Sequence, residues 1–280
     1  VVAGRALRPL RTITATARAI SASNLHERLG LENADEEFRE LGATLDDLFA
    51  RLESSFESQR HFVANASHEL RTPLTAERAL LQVALADPEA SAGSLRAACE
   101  EVLDLGAQQE RLIDSLLTLA TGERGVEVRE RVDLAAVVER VVATRRDDAE
   151  ARGVELRVTL GAASTTGDPS LVESLVANLV DNALRHNVPD GRVDVSTTTT
   201  LAGHPTLSIA NTGPQIAPEQ VGRLFRPFER LAPGRAHHRE GHGLGLAIVG
   251  AIAAGHGATL DARARPDGGL QIEVSFPRTV

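Results

Sequence analysis

Asn65-Ala66-Ser67-His68-Glu69-Leu70-Arg71-Thr72-Pro73-Leu74 decides the reading of this 280-residue chain. Phe62, Ala66, Leu70 and Leu74 recur at every fourth position and predict one apolar stripe along a helix. His68 lies about 200° round the helix from Leu70 and so projects from the solvated side. Glu69 is its neighbour; a carboxylate accepting from one ring nitrogen would fix the tautomer and leave the other nitrogen's lone pair free to attack. Thr72, at i+4 from His68, shares its face. Pro73 has no N–H for the carbonyl of Glu69 and its ring crowds that carbonyl, which predicts a kink just past the histidine. A His-Glu pair by itself also fits an ordinary surface helix, so the electrophile has to be found elsewhere in the chain.

Composition narrows the search. An apolar content of 42% permits a real core, and the length allows two domains or more. Acidic residues outnumber basic ones 39 to 30, a net charge of −9, and no basic stripe with interleaved aromatics occurs, which argues against a nucleic-acid partner. Every basic residue is Arg, a compositional bias with no functional reading. Cys99 stands alone, which excludes an intramolecular disulfide and fits a reducing compartment. No run of eighteen apolar residues occurs. Val1-Val2-Ala3-Gly4 followed by Arg5 and Arg8 reads as the stump of a membrane span with its positive flank, so the chain is expected to be the cytoplasmic portion of a protein held in the cell membrane.

Residues 1–53 carry two helical patterns, one through Leu7, Leu10, Ile13, Ala17 and Ile20, the other through Phe38, Leu41, Leu45, Leu48 and Leu52. Both approach coiled-coil spacing. The irregular stretch from Ser21 to Asp35 between them is long enough for the helices to run parallel, and a parallel pair cannot bury its stripe alone, so a dimer is expected. The second pattern continues into the His68 helix, which should end at Asp87-Pro88. Beyond Gly93, Leu95, Ala98, Val102, Leu105, Gln109, Leu112, Leu116 and Leu119 step 3,4,3,4,3,4,3, a heptad seam. An antiparallel hairpin over 54–121 with stripes on both arms is half of a dimeric four-helix bundle. A linker is expected at 122–130, beginning with Gly122-Glu123-Arg124-Gly125.

Helices and strands follow over 131–280 without strict alternation. Helices are expected from Leu134 to Ala151, Pro169 to His186 after an Asp168 cap, and Leu244 to His256. Strands are expected from Val154 to Leu160, Val193 to Leu201, Thr206 to Ala210, Ala258 to Arg263 and Leu270 to Phe276. Such an order predicts an α+β two-layer sandwich rather than a doubly wound sheet.

Three stretches of this part carry phosphate and metal chemistry. Asn178, Asn182 and Arg185 fall on one helical face; amide carbonyls are hard oxygen ligands for Mg²⁺, and Arg pairs phosphate oxygens. Gly241-His242-Gly243-Leu244-Gly245-Leu246 opens directly into a helix and presents bare N–H groups to an anion. Asn211-Thr212-Gly213-Pro214 is a turn after a strand that can approach a base edge. The segment from Val221 to Gly241, with Phe225-Arg226-Pro227-Phe228, is too long for an ordinary connection and predicts a mobile lid. His237 and His238 fall in this segment and His242 just past it, and they are not read as a zinc site.

In order and spacing these runs resemble the sensor histidine kinases of bacterial two-component systems over nearly the whole chain. Residues 1–53 look like a HAMP relay, with Pro9 and Asp35-Glu36, and the His68 run looks like the H-box of the dimerisation and phosphotransfer domain. Asn178 to His186, Asn211 to Ile216, Phe225 to Phe228 and Gly241 to Leu246 look like the N, G1, F and G2 boxes of the GHKL-type ATP-binding fold. The resemblance implies autophosphorylation of His68 from Mg-ATP, with Glu69 as its acid-base partner, and transfer to an aspartate of a response regulator receiver domain. It also implies reverse phosphatase activity, with Thr72 positioning water. Asn178 and Asn182 become metal ligands. Nucleotide contacts fall to Asn178, Asn182, Arg185, His186, Asn211, Gly213, Gly241, Gly243, Leu244 and Gly245.

One departure stands out. The family's G1 box begins with Asp and often has Gly two places after the middle Gly, where this chain has Asn211 and Gln215. The Asn carbonyl can accept a hydrogen bond from an adenine amino group, without charge assistance. Two other readings remain open on sequence: a non-catalytic dimeric signalling scaffold with weak or no ATP binding, and a freestanding ATPase of the same fold.

Overall fold

A computed structural model of the chain describes Thr14, His26, Arg28, Leu29 and residues 36–126, 128–230 and 242–278. The chain divides into two compact units, Val1–Glu69 and Leu70–Val280. The helical pattern expected over Leu7 to Ile20, and its parallel pairing, lie outside the described residues, as does Gly241.

In the first unit the long helix α1 (Glu36–Ala86) begins. Leu29 is buried together with Phe49, and Phe38 and Leu45 pack against them. Positions 38, 45 and 49 lie on one stripe at seven- and four-residue steps, which gives the connector leucine a single apolar place to sit. Asp46 Oδ1 accepts the Leu29 N–H at 2.9 Å, fixing the backbone there. Arg28 pairs with Glu53 at 2.8 Å, a partly exposed contact that adds little stability. Leu41, Leu48 and Leu52, the other members of the expected stripe, are exposed.

Helix α1 is continuous through Pro73. From Phe62 onward its half-buried positions are Phe62, Ala66, Leu70, Pro73, Ala76, Glu77, Leu80 and Ala84, whereas Leu74 is 59% exposed. The expected four-residue stripe therefore fails at its last member. A four-residue step turns the helix about 400°, so each step drifts roughly 40° from the seam, and a three-residue step to Pro73 restores it.

In the second unit, α2 (Ala92–Arg124) starts at Ser91, whose Oγ accepts the Ser94 N–H at 3.1 Å. Ala98, Val102, Leu105, Gln109, Leu112, Leu116 and Leu119 are half-buried or buried along one side, as the heptad pattern requires, whereas Leu95, the first member expected in the seam, is exposed in the first turn. The helix does not stop at 121. Gly122, Glu123 and Arg124 form its last turn, and the chain leaves it at Gly125, with φ 89°, whose N–H donates to the Gly122 carbonyl. Gly122 is buried, and a Cβ there would stand 3.1 Å from the backbone of Ala251 and Ile252. The glycine read as the start of a linker is a close helix-to-helix contact instead.

The remaining elements are β1 (Glu130–Asp133), α3 (Leu134–Ala143), α4 (Arg146–Ala151), β2 (Glu155–Leu160), β3 (Ser164–Gly167), α5 (Pro169–Arg185), β4 (Arg192–Thr199) and β5 (Pro205–Asn211), followed by α6 (Pro218–Val221), a 3₁₀ turn at Gly222–Phe225, α7 (Gly245–Gly255), β6 (Thr259–Ala264) and β7 (Leu270–Ser275). Five strands form one mixed sheet in the order β2-β4-β5-β7-β6, with only the β2–β4 pair parallel. Val193, Val195, Leu207, Ile209, Ile272 and Val274 alternate into the core with α5 residues such as Leu175 and Leu179, giving the expected layered α+β arrangement.

Two local expectations are corrected. The helix expected from Leu134 to Ala151 breaks at Thr144-Arg145, where Arg145 Nε and Nη2 grip the Asp181 carboxylate at 2.8 and 3.2 Å. That bond, more than the opposing burial, raises the Arg145 pKa above its ordinary value. Strands β1 and β3, which pair antiparallel as a separate ribbon, were not foreseen, because Glu130-Arg131-Val132-Asp133 and Ser164-Thr165-Thr166-Gly167 carry no apolar alternation.

Candidate active site

Helix α1 presents His68, Glu69 and Thr72 as exposed side chains, while the adjacent Leu70 is half-buried. His68 thus lies on the accessible side, as its position relative to Leu70 requires.

A second cluster is assembled from α5, the end of β5 and the start of α7. Asp168 caps α5, its Oδ1 accepting the N–H groups of Ser170 and Leu171 and the Ser170 hydroxyl, and Pro169 supplies a preset first turn. The Ser170 hydroxyl, then the two backbone bonds, hold the Asp168 carboxyl below the usual value. Ten residues on from Asp168, Asn178 Nδ2 donates to the Ser174 carbonyl at 2.8 Å. Its Oδ1 is thereby directed at the first residue of α7: a Cβ on Gly245 would come 3.2 Å from it. Asn182 is half-buried one turn further, and Arg185 and His186 are exposed at the end of the helix.

The N–H groups of the first turn of α7 have no intrahelical partners, as in any helix, and Leu244 supplies no side-chain cap for them. Gly243 reaches it with φ 70°, a conformation that favours glycine, and its carbonyl accepts the Phe228 N–H at 2.9 Å. Phe228 itself has φ 64°. The Phe225-Phe228 run is therefore joined to the glycine turn by a backbone bond at Phe228.

Asn211 closes β5 at 5% exposure. Its side chain meets two carbonyl oxygens, Thr212 at 2.7 Å and His186 at 3.5 Å. Two acceptors can be met only by the amide nitrogen, so Nδ2 faces the protein and Oδ1 is the atom left to read a ligand. Gly213 is required beside it, since a Cβ there would stand 2.6 Å from the His186 carbonyl. Asn187, which the sequence did not single out, braces this turn: its Oδ1 accepts from Thr212 Oγ1 at 2.6 Å and its Nδ2 donates to the Ala183 and Arg192 carbonyls at 3.2 Å. The one available signal was an Asn just past a helix end and before Pro189-Asp190-Gly191.

An amide oxygen facing an uncapped helix N-terminus suits a metal-bound polyphosphate, the carbonyl taking the cation and the N–H groups the anion. The donor set of Asn178 and α7 therefore fits the Mg-nucleotide.

Three family descriptions match the chain in order: HAMP domain over residues 1–54, His Kinase A (phospho-acceptor) domain over 58–125, and histidine kinase-, DNA gyrase B-, and HSP90-like ATPase over 167–280. The chain is 42% identical over 277 residues to the sensor protein CutS of Streptomyces coelicolor, covering 99% of this chain and 66% of CutS. It is 31% identical over 254 residues to the sensor histidine kinase CusS of Escherichia coli K12, covering 90% of this chain and 52% of CusS. Among solved structures, the histidine kinase AdeS of Acinetobacter baumannii superposes with a TM-score of 0.59 at 25% identity, over 76% of this chain and 98% of that one. The chain spans between about half and two thirds of the curated relatives it matches. With these three domains in this order, it belongs to the sensor histidine kinase family.

Proposed function

We propose that this chain is the kinase portion of a membrane-anchored sensor. The α5–α7 cluster binds ATP, and the γ-phosphoryl group passes to one ring nitrogen of His68. The nitrogen–phosphorus bond forms as the bond from phosphorus to the bridging oxygen breaks and ADP leaves. Glu69 orients the imidazole through its other nitrogen and takes the ring proton. An aspartate of a separate response regulator receiver domain then accepts the phosphoryl group, and Thr72 positions water when the flow is reversed. The observation that carries the reading is Asn178 Oδ1 facing the uncapped start of α7, in one chain with an exposed H-box histidine.

The protein's share of such a transfer is positioning and charge neutralisation. Asn178 and Asn182 would hold Mg²⁺, which when bound neutralises charge on the phosphate oxygens. Bare N–H groups of α7 orient the phosphates, Arg185 pairs an oxygen, and Asn211 Oδ1 accepts from the adenine amino group. Among the described residues no helix is long and apolar enough to cross a membrane. The working form is a homodimer through the α1–α2 hairpin, because Leu74, Leu103 and Leu117 are at least 59% exposed in a single chain.

The test is incubation with γ-labelled ATP and Mg²⁺. Acid-labile, base-stable label on the parent and none on His68→Gln is expected; label persisting in the variant sinks the assignment. The scaffold reading predicts no nucleotide binding by the parent, and the free ATPase reading predicts released phosphate without phosphoprotein.

A further inference from the structure

Asn187 lies just past the run from Asn178 to His186, and every polar group of its amide is used. Its Oδ1 accepts the Val188 N–H at 2.9 Å and the Thr212 hydroxyl at 2.6 Å, while Nδ2 donates to the Ala183 and Arg192 carbonyls, each at 3.2 Å. A main-chain N–H can only donate and a carbonyl can only accept, so Val188 on one side and two carbonyls on the other fix which way the amide points.

Those bonds gather three separated pieces of the chain. The Ala183 carbonyl belongs to the last turn of α5, one residue past Asn182, where carbonyls run out of main-chain partners; the Asn187 side chain takes it. Arg192 opens β4, and Thr212 follows the end of β5. Thr212 Oγ1 accepts the Arg192 N–H at 2.7 Å, which leaves its own proton for Asn187. Gly191 makes room for the junction, since a Cβ there would overlap both Asn187 Oδ1 and Thr212 Oγ1.

The carbonyls that orient Asn211 are those of His186 and Thr212. The first belongs to the peptide joining His186 to Asn187, the second to the residue whose hydroxyl Asn187 holds. We propose that Asn187 is a positioning residue for base recognition: by tying the end of α5 to the turn after β5, it sets where Asn211 Oδ1 meets the 6-amino group of the purine. It acts through Thr212 and Asn211, not on the ligand. A hydrogen bond weakens steeply as its angle opens, so a turn that drifts loses the amino group while the phosphates stay held at α7. The inference rests on the nucleotide reading above.

The experiment titrates the full chain, with Mg²⁺ present, with ATP and with purine riboside triphosphate, which lacks the 6-amino group; thermal unfolding is the folding check. The parent should prefer ATP about tenfold, the worth of one hydrogen bond. Asn187→Ala should lose that preference, with ATP weakened about tenfold and the analogue held within about twofold of the parent. In the label assay its KM for ATP should rise while kcat holds. Thr212→Val, similar in shape but without the hydroxyl, should behave alike, and Thr212→Ser should keep the preference. Combining Asn187→Ala with Thr212→Val should cost no more than either alone, because both cut one connection. The threonine variants decide the matter if Asn187→Ala does not fold. Equal weakening of both nucleotides means a merely structural role and overturns the inference, as does a preference retained in Asn187→Ala or Thr212→Val. A parent indifferent to the amino group overturns it too, since Asn211 then reads nothing for Asn187 to position. A parent that binds neither nucleotide overturns the nucleotide reading itself, which separates the two failures.

Discussion

His68 and Asn211 sit in opposite kinds of surroundings. His68 is an exposed side chain on a 51-residue helix, and the groups assigned to work with it, Glu69 and Thr72, are its own neighbours in sequence. Asn211 is 5% exposed at the end of a central strand, held by carbonyls of His186 and Thr212 and flanked by a glycine that packs under it. The proposed phosphoacceptor is built by local spacing, the proposed nucleotide pocket by tertiary packing. A replacement of the first kind is expected to cost little stability, whereas one of the second kind should change stability and function together.

That difference predicts a one-way dissociation, the largest effect expected here. His68→Gln should abolish phosphoprotein formation while leaving ATP affinity and thermal unfolding within error of the parent. Asn182→Ala should lose both ATP binding and phosphorylation, by about a hundredfold or more, since charge neutralisation in phosphoryl transfer is among the largest catalytic terms. Equilibrium nucleotide binding beside the label assay checks it. A His68→Gln chain that no longer binds ATP would break the comparison.

Asn211→Asp sharpens it. The family's usual residue restores charge toward adenine, yet here it replaces the Nδ2 donor that meets two carbonyls with an oxygen that cannot donate. The expected cost is about 1–3 kcal/mol of domain stability, read by thermal unfolding of the chain. An unchanged melting temperature would mean that the Thr212 and His186 bonds are not what holds the turn.

The same division explains what could be read from the sequence. The H-box, the heptad seam of α2 from Ala98 on and the Asp168-Pro169 start of α5 are local patterns, and the structure has them where the spacing places them. Leu74 failed because a strict four-residue series drifts off any seam, and Pro73 took its place. Gly122 was misread because a glycine looks the same in a flexible linker as in a tight helix crossing; only the 3.1 Å approach of a would-be Cβ to Ala251 and Ile252 separates the two. The break at Thr144-Arg145 depends on Asp181, 36 residues away. Which end of the Asn211 amide faces the ligand depends on carbonyls that the chain brings together only on folding.

Gly245→Ala tests the contact between α5 and α7. Its Cβ would come 3.2 Å from Asn178 Oδ1, whose amide is tied back to the Ser174 carbonyl and cannot easily swing away. Nucleotide affinity should fall about tenfold, with stability nearly unchanged because alanine is the better helix former. Titration with ATP and Mg²⁺ reads the first and thermal unfolding the second. Equal loss of both would mean that the glycine serves packing rather than the ligand.

The smallest effect concerns the brace behind the pocket. His256 is buried, with Nδ1 bonded to the Ile252 carbonyl at 2.8 Å and Nε2 accepting the Asp168 N–H at 3.1 Å, so the end of the nucleotide helix α7 is tied to the cap of α5. Asp168→Ala leaves that backbone bond in place and removes only the carboxylate that caps α5, at a cost of about 1 kcal/mol at neutral pH. Because Ser170 and the backbone N–H groups depress the Asp168 pKa, the parent's advantage is fully present above the ordinary carboxylate value of 3.8 and is lost as pH falls through the depressed one. Urea unfolding of parent and variant at neutral pH and at acidic pH should therefore show a gap that closes on acidification. Asp168→Asn retains a capping oxygen without a titrating proton, so its stability should not follow the parent's loss on acidification. If instead Asp168→Ala reduces ATP affinity as strongly as Gly245→Ala does, the cap is transmitting strain along α5 to Asn178, and the pocket is even less divisible into local parts than the contrast with His68 implies.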